Sequence, residues 1–183
     1  VKTSAKNILN ETALTDAPKP PAKLNRKAKA ERMIKTYTSR FGHTAYPVRP
    51  SGEVIWPNGS RPAADSFWVA NSYFELANRS FRAYGKSSPV RFSEQDGFTK
   101  PDVVHWTCPL PAYSKGSANI YTFHDLIPLR LPHTTMDDKK VFMSLCEDVV
   151  RRADHIAVVS ETTKQDLIRI LNVPEDRITN TYQ

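Results

Sequence analysis

Short apolar runs alternate with helical patterns from Asp102 to Thr181, and this alternation restricts the possible folds more than any other feature of the chain. Asp102-Val103-Val104-His105-Trp106 is the first run. Asn119-Ile120-Tyr121-Thr122-Phe123 is the second, leading straight into His124-Asp125-Leu126-Ile127-Pro128. His155-Ile156-Ala157-Val158-Val159 is the third, leading into Ser160-Glu161. Continuous β-branched runs separated by crossover segments read as buried parallel strands. Ligands of open α/β sheets bind outside the carboxyl ends of such strands. His105, His124-Asp125 and Ser160-Glu161 are therefore expected along one edge, facing one crevice.

The segments between the runs read as helices. Val141, Phe142, Leu145, Cys146, Val149, Val150 and Ala153 make a stripe at helical spacing over Thr135–Ala153. Thr134 and Asp137 suggest a capping box at its start. A second helix is expected from Ser160 or Glu161, burying Leu167, Ile168 and Leu171 and stopping at Asn172 before Pro174. Ile178–Tyr182 begins another strand. Upstream, strands are expected at Glu53–Trp56 and Ser66–Ala70, with a helix near Tyr73–Tyr84. Leu24–Phe41 has a helical pattern, with Ala30, Met33, Ile34, Tyr37 and Phe41 on one face. The fold class expected is α/β: a Rossmann-like parallel sheet flanked by helices, with a basic helical N-terminal arm over residues 1–41.

A chain of 183 residues can bury a sizeable core. No apolar run approaches the roughly 20 residues that span a bilayer. Cys108 and Cys146 have neither metal-ligand spacing nor a disulfide pattern, so reduced thiols are expected, as in a cytoplasmic protein. The net charge of +7 is unevenly spread. Residues 1–40 hold ten Lys/Arg and three Asp/Glu, while residues 41–183 hold sixteen of each. The basicity belongs to the arm.

Several function classes lack their motifs. All six glycines are isolated, so there is no G-x-G-x-x-G fingerprint and no P-loop. No serine-hydrolase elbow is present, and no His/Cys group has metal spacing. The final Ile178–Gln183 reads as a strand cut in its middle, and on that basis the chain is expected to be an internal fragment of a longer protein, the alternative being a complete small domain with irregular ends.

In order, the chain carries a D-V-V-H strand, a T-F-H-D-L-I-P strand end, an amphipathic helix, A-D-H-I-A-V-V-S-E, T-K-Q-D-L and V-P-E-D-R-I. This order resembles the N-terminal domain of glycosyltransferase family 4, which has the GT-B fold. The resemblance covers about 80 of the 183 residues and is strongest over Ala153–Leu167. Residues 1–100 carry little of it. It implies a two-domain enzyme, with the acceptor held mainly by residues 42–183 and the nucleotide-sugar by a C-terminal domain not contained in these residues. It further implies transfer with retention of configuration, with no cofactor and no metal.

The resemblance also sharpens the candidate residues. A histidine at the strand end of His124 lies near sugar and acceptor in that family, which makes His124 the catalytic candidate. Its imidazole suits a hydrogen bond to a sugar hydroxyl or acid–base work; the competing reading is a strand-end cap. Asp125 either orients His124 and contacts the acceptor, or caps the next turn. His105 and Trp106 are candidate cleft contacts, Trp106 stacking on a sugar face or filling the core. Ser160 reads as a helix N-cap. With Glu161 it borders the phosphate side of the cleft, because helix N-termini favour anions.

The function expected is the acceptor side of a retaining hexosyltransferase acting on a glycan or lipid-linked acceptor. The alternative is a non-catalytic α/β binding or assembly domain derived from such a fold. The basic arm has three readings: a solvated helix face packed on the sheet, peripheral association with an anionic membrane, or nucleic-acid binding. The last is not expected, because aromatic residues do not interleave with the basic ones over residues 1–36.

Overall fold

The computed structural model describes residues 25–48, 67–94 and 98–182. The strand expected at Glu53–Trp56 and the first residues of the arm lie outside them. The chain divides into two compact units, Val1–Met33 and Ile34–Gln183. Helix α1 (Arg26–Ser39) opens in the first unit, where Asn25 Oδ1 caps it by accepting from the Ala28 N–H at 2.8 Å.

The second unit is α/β. Its elements are β1 (His43–Val48), β2 (Phe67–Val69), α2 (Tyr73–Tyr84), β3 (Ser88–Phe92), β4 (Val103–Trp106), β5 (Ala112–Ser114), β6 (Ala118–Phe123), α3 (Ile127–Arg130), α4 (Lys139–Arg152), β7 (His155–Val158), α5 (Glu161–Leu171) and β8 (Ile178–Asn180). One four-stranded sheet has the order β2-β1-β3-β5, parallel apart from β2. A second has the order β4-β6-β7-β8 and is parallel throughout. The register sets Trp106 beside Tyr121 and Phe123 beside Val158, while Val158 pairs with Asn180. The carboxyl ends of all four strands thus reach one edge.

The core lies on one face of this second sheet. Tyr121, Phe123, Ile156 and Val158 from the strands meet Cys146, Val149 and Leu167 from α4 and α5, all with no exposed surface. Each buried side chain of this size contributes about 1.5–3 kcal/mol of transfer free energy. Burial also pushes the Cys146 thiol up to about 12, so it packs as a neutral apolar group.

One local expectation changes. Helix α4 begins at Lys139, not Thr135, and its cap is Asp138. One carboxylate oxygen of Asp138 accepts from both Lys140 N–H and Val141 N–H at 3.1 Å, which a Thr134 hydroxyl cannot match. Ile34 and Phe41, both in the second unit, are 62% and 55% exposed. Tyr37, Phe41 and Tyr84 gather around Arg40, whose guanidinium lies 4.1 Å from the Tyr37 ring centre. Helix α5 ends as expected, with Asn172 in the left-handed region (φ 52°). Among the described residues no helix is long and apolar enough to cross a membrane.

Candidate functional site

The carboxyl edge of the second sheet collects His124 and Asp125 after β6, Thr107 after β4, Ser160 and Glu161 after β7, and Asn180 at the end of β8. His124 leaves a strand whose last three residues, Tyr121 to Phe123, are fully or almost fully buried, and is itself exposed. The His124 ring lies 2.9 Å from the Thr107 carbonyl through Nε2. A carbonyl only accepts, so Nε2 carries the proton in this contact and the neutral ring keeps an accepting lone pair on Nδ1. The His124 main-chain carbonyl accepts from the Thr163 hydroxyl at 3.0 Å. The residue is held at both its ring and its backbone.

Asp125 takes the turn role. Its Oδ1 accepts from the Ile127 N–H at 3.0 Å and starts α3. The His124 ring is oriented by Thr107, not by this carboxylate. His105 lies within β4, on the face opposite Trp106, because successive strand residues alternate. Its Nε2 is 2.7 Å from Thr122 Oγ1 on β6. No hydrogen bond joins His105 to His124 among the described residues. Trp106 is half-buried, stacked on Tyr121 with ring centres 6.1 Å apart. Its indole N–H donates to Asn119 Oδ1 at 3.1 Å, away from the strand exit.

Ser160 is the N-cap of α5, accepting from the Thr163 N–H at 3.2 Å. Glu161 begins the helix and is exposed; it accepts from Gln165 Nε2 at 2.9 Å. That hydrogen bond, with help from the nearby Lys164 charge, holds its carboxyl below the usual range. The positive end of the helix dipole lies at the same place. Lys164 pairs with Glu175 at 2.7 Å, and Arg130 with Asp166 at 3.2 Å, so these cations are engaged by carboxylates.

Sequence reasoning passed over Thr107, Thr163 and Asn180. Thr107 acts through its main chain, which carries no side-chain signal. Thr163 reads as an ordinary first-turn helix residue until β6 and α5 are brought together. A groove of about 150 Å³ lies elsewhere, between Phe81 and Arg82 of α2 and Asp138, Val141 and Phe142 at the start of α4. It shares no residue with the carboxyl edge. Among the described residues no group of three or more His, Cys, Asp or Glu side chains gathers at one point.

Residues 42–182 match the family model described as Glycosyltransferase Family 4. The match begins well upstream of Asp102, so the β1–β3 region belongs to it although its residues carry little visible resemblance. No curated protein and no solved structure matches the chain.

Proposed function

Since the chain belongs to glycosyltransferase family 4, and its activity is of the glycosyltransferase type, we propose that residues 42–182 form the acceptor side of a retaining enzyme. The observation that carries this reading is the placement of His124. It stands at the exit of a buried strand on the edge where α/β sheets bind ligands, its ring fixed so that Nδ1 is the accepting nitrogen. In this reading Nδ1 accepts a hydrogen bond from a hydroxyl of the bound sugar or acceptor while the bond from the anomeric carbon to the phosphate oxygen breaks. The acceptor oxygen forms the new glycosidic bond on the same face, and the acceptor's proton leaves on the departing phosphate. The N-terminus of α5, at Ser160 and Glu161, borders the phosphate side.

The donor is a nucleotide-activated hexose held chiefly by a second Rossmann-like domain, and the acceptor a glycan or lipid-linked sugar. No metal ion takes part. The enzyme works in the cytoplasm, at the inner face of an anionic membrane. Supporting the membrane contact are the five basic residues against one acidic residue in α1 and the exposed Tyr37, Phe41 and Tyr84 of the second unit.

The test is incubation of the complete enzyme with UDP-glucose or GDP-mannose and candidate glycan acceptors, with and without EDTA. Release of nucleoside diphosphate, a product with the donor's anomeric configuration and unchanged rates in EDTA are expected. The 183 residues alone should bind these donors weakly or not at all. Absence of any transfer by the complete enzyme supports a non-catalytic binding domain instead, and micromolar donor binding by the 183 residues alone contradicts the division of labour.

A further inference from the structure

We propose that Thr163 is the positioning residue of His124. The inference rests on the reading of His124 given above, and extends it to a residue on a different element. Thr163 is 3% exposed and lies in the first turn of α5, 39 positions along the chain from His124. Three hydrogen bonds meet at its side chain and amide. Its N–H donates to Ser160 Oγ at 3.2 Å. Its hydroxyl oxygen lies 3.0 Å from the same Ser160 Oγ and 3.0 Å from the His124 carbonyl.

Only one arrangement of protons satisfies all three. The His124 carbonyl has no proton to give, so the Thr163 hydroxyl donates to it. The Ser160 hydroxyl then donates to Thr163 Oγ1 while accepting the Thr163 amide. The cap of α5 is thereby wired to the backbone of His124. Thr107 fixes the ring from the β4 side, and Thr163 fixes the main chain from the α5 side. With both in place the ring keeps Nε2 on the Thr107 carbonyl and offers Nδ1. Without Thr163 the His124 carbonyl loses its anchor at a chain exit, and the Nε2 contact to Thr107 loosens with it. A displacement of about an ångström at a reacting group can reduce rate by about a hundredfold.

The imidazole ¹H–¹⁵N spectrum of the protein reads the effect directly, because it distinguishes the two neutral tautomers. The wild-type protein should show His124 as the Nε2–H tautomer, together with a slowly exchanging Thr163 hydroxyl proton. Thr163→Val should shift His124 toward averaged nitrogen signals and lower kcat about tenfold in the complete enzyme, with UDP-glucose or GDP-mannose as the donor probe. Thr163→Ser, which restores the donor, should return both. Val173→Ala is the control. It loosens a buried residue just beyond α5, and should lower the melting temperature without altering the His124 tautomer.

If Thr163→Val loses melting temperature while His124 remains cleanly Nε2–H, Thr163 is merely structural and the inference fails. A rapidly exchanging Thr163 hydroxyl in the wild type overturns it without recourse to any variant. The tautomer result stands whether or not His124→Ala affects turnover, so failure of the site assignment and failure of this inference are separately visible.

Discussion

Asn119 uses its whole side-chain amide inside the protein. Oδ1 accepts from the Ser114 N–H at 2.7 Å and from Trp106 Nε1 at 3.1 Å, and Nδ2 donates to the Ser114 and Ser117 carbonyls at 2.9 Å each. Its main-chain N–H donates to Asp154 at 2.7 Å. One residue at the start of β6 thus ties β4, β5 and the turn before β7. Asn119→Leu leaves the buried Ser114 N–H and carbonyl without their side-chain partners, each at about 1–3 kcal/mol. A total loss of about 2–6 kcal/mol in urea unfolding is expected on that basis, and a loss below about 0.5 kcal/mol would show that water takes over the contacts. His124 and Asn119 differ in how visible they are in the sequence. His124 ends an apolar run, and the end of the run locates the end of the strand. Asn119 looks like an ordinary strand residue, because its partners in the Ser114–Ser117 turn come near only when β5 folds back.

Helix α4 shows which elements were legible. Its stripe of apolar residues gave its existence and its buried face, but its start depended on which acidic residue wins the cap, and Asp138 does so with two hydrogen bonds. Strands β4, β6 and β7 and helix α5 fall where their apolar runs and caps place them. Strands β1, β3 and β5 were not legible: β1 and β3 contain Pro47 and Pro89, and the three-residue β5 follows Leu110-Pro111, all of which read as turns. The polar anchor of α4 was also hidden. Asp148 is 4% exposed and accepts from the Ser87 hydroxyl, Arg151 and Arg152, joining α4 to the chain entering β3. Burial works against its ionisation, but the hydrogen bonds from Ser87 and Arg152 and the two arginine charges outweigh it and hold the carboxyl below the usual range. A depressed folded value means stability present above the unfolded pKa and lost as pH falls through the folded one. Asp148→Asn should therefore cost about 1–3 kcal/mol near neutrality, and the difference from wild type should shrink as pH falls below about 4. A difference that stays constant down to about pH 2 would show that the charge of Asp148 contributes nothing.

At the scale of the whole molecule, two surfaces bear on the proposed work. The exposed aromatic group around Arg40 suits an anionic interface. The protein should co-sediment with phosphatidylglycerol vesicles at low salt and not with phosphatidylcholine vesicles, and Tyr37→Ser with Phe41→Ser should reduce the bound fraction. Equal binding to both lipids would remove the electrostatic part of that account. The carboxyl edge is the second surface, and the account depends on it most. His124→Ala in the complete enzyme, measured for turnover per folded molecule and for melting temperature, tests it directly. A fall of about a hundredfold or more in turnover with an almost unchanged melting temperature is the predicted result. Normal turnover per folded molecule, with the melting temperature lowered, would contradict it and make His124 a structural strand-end residue.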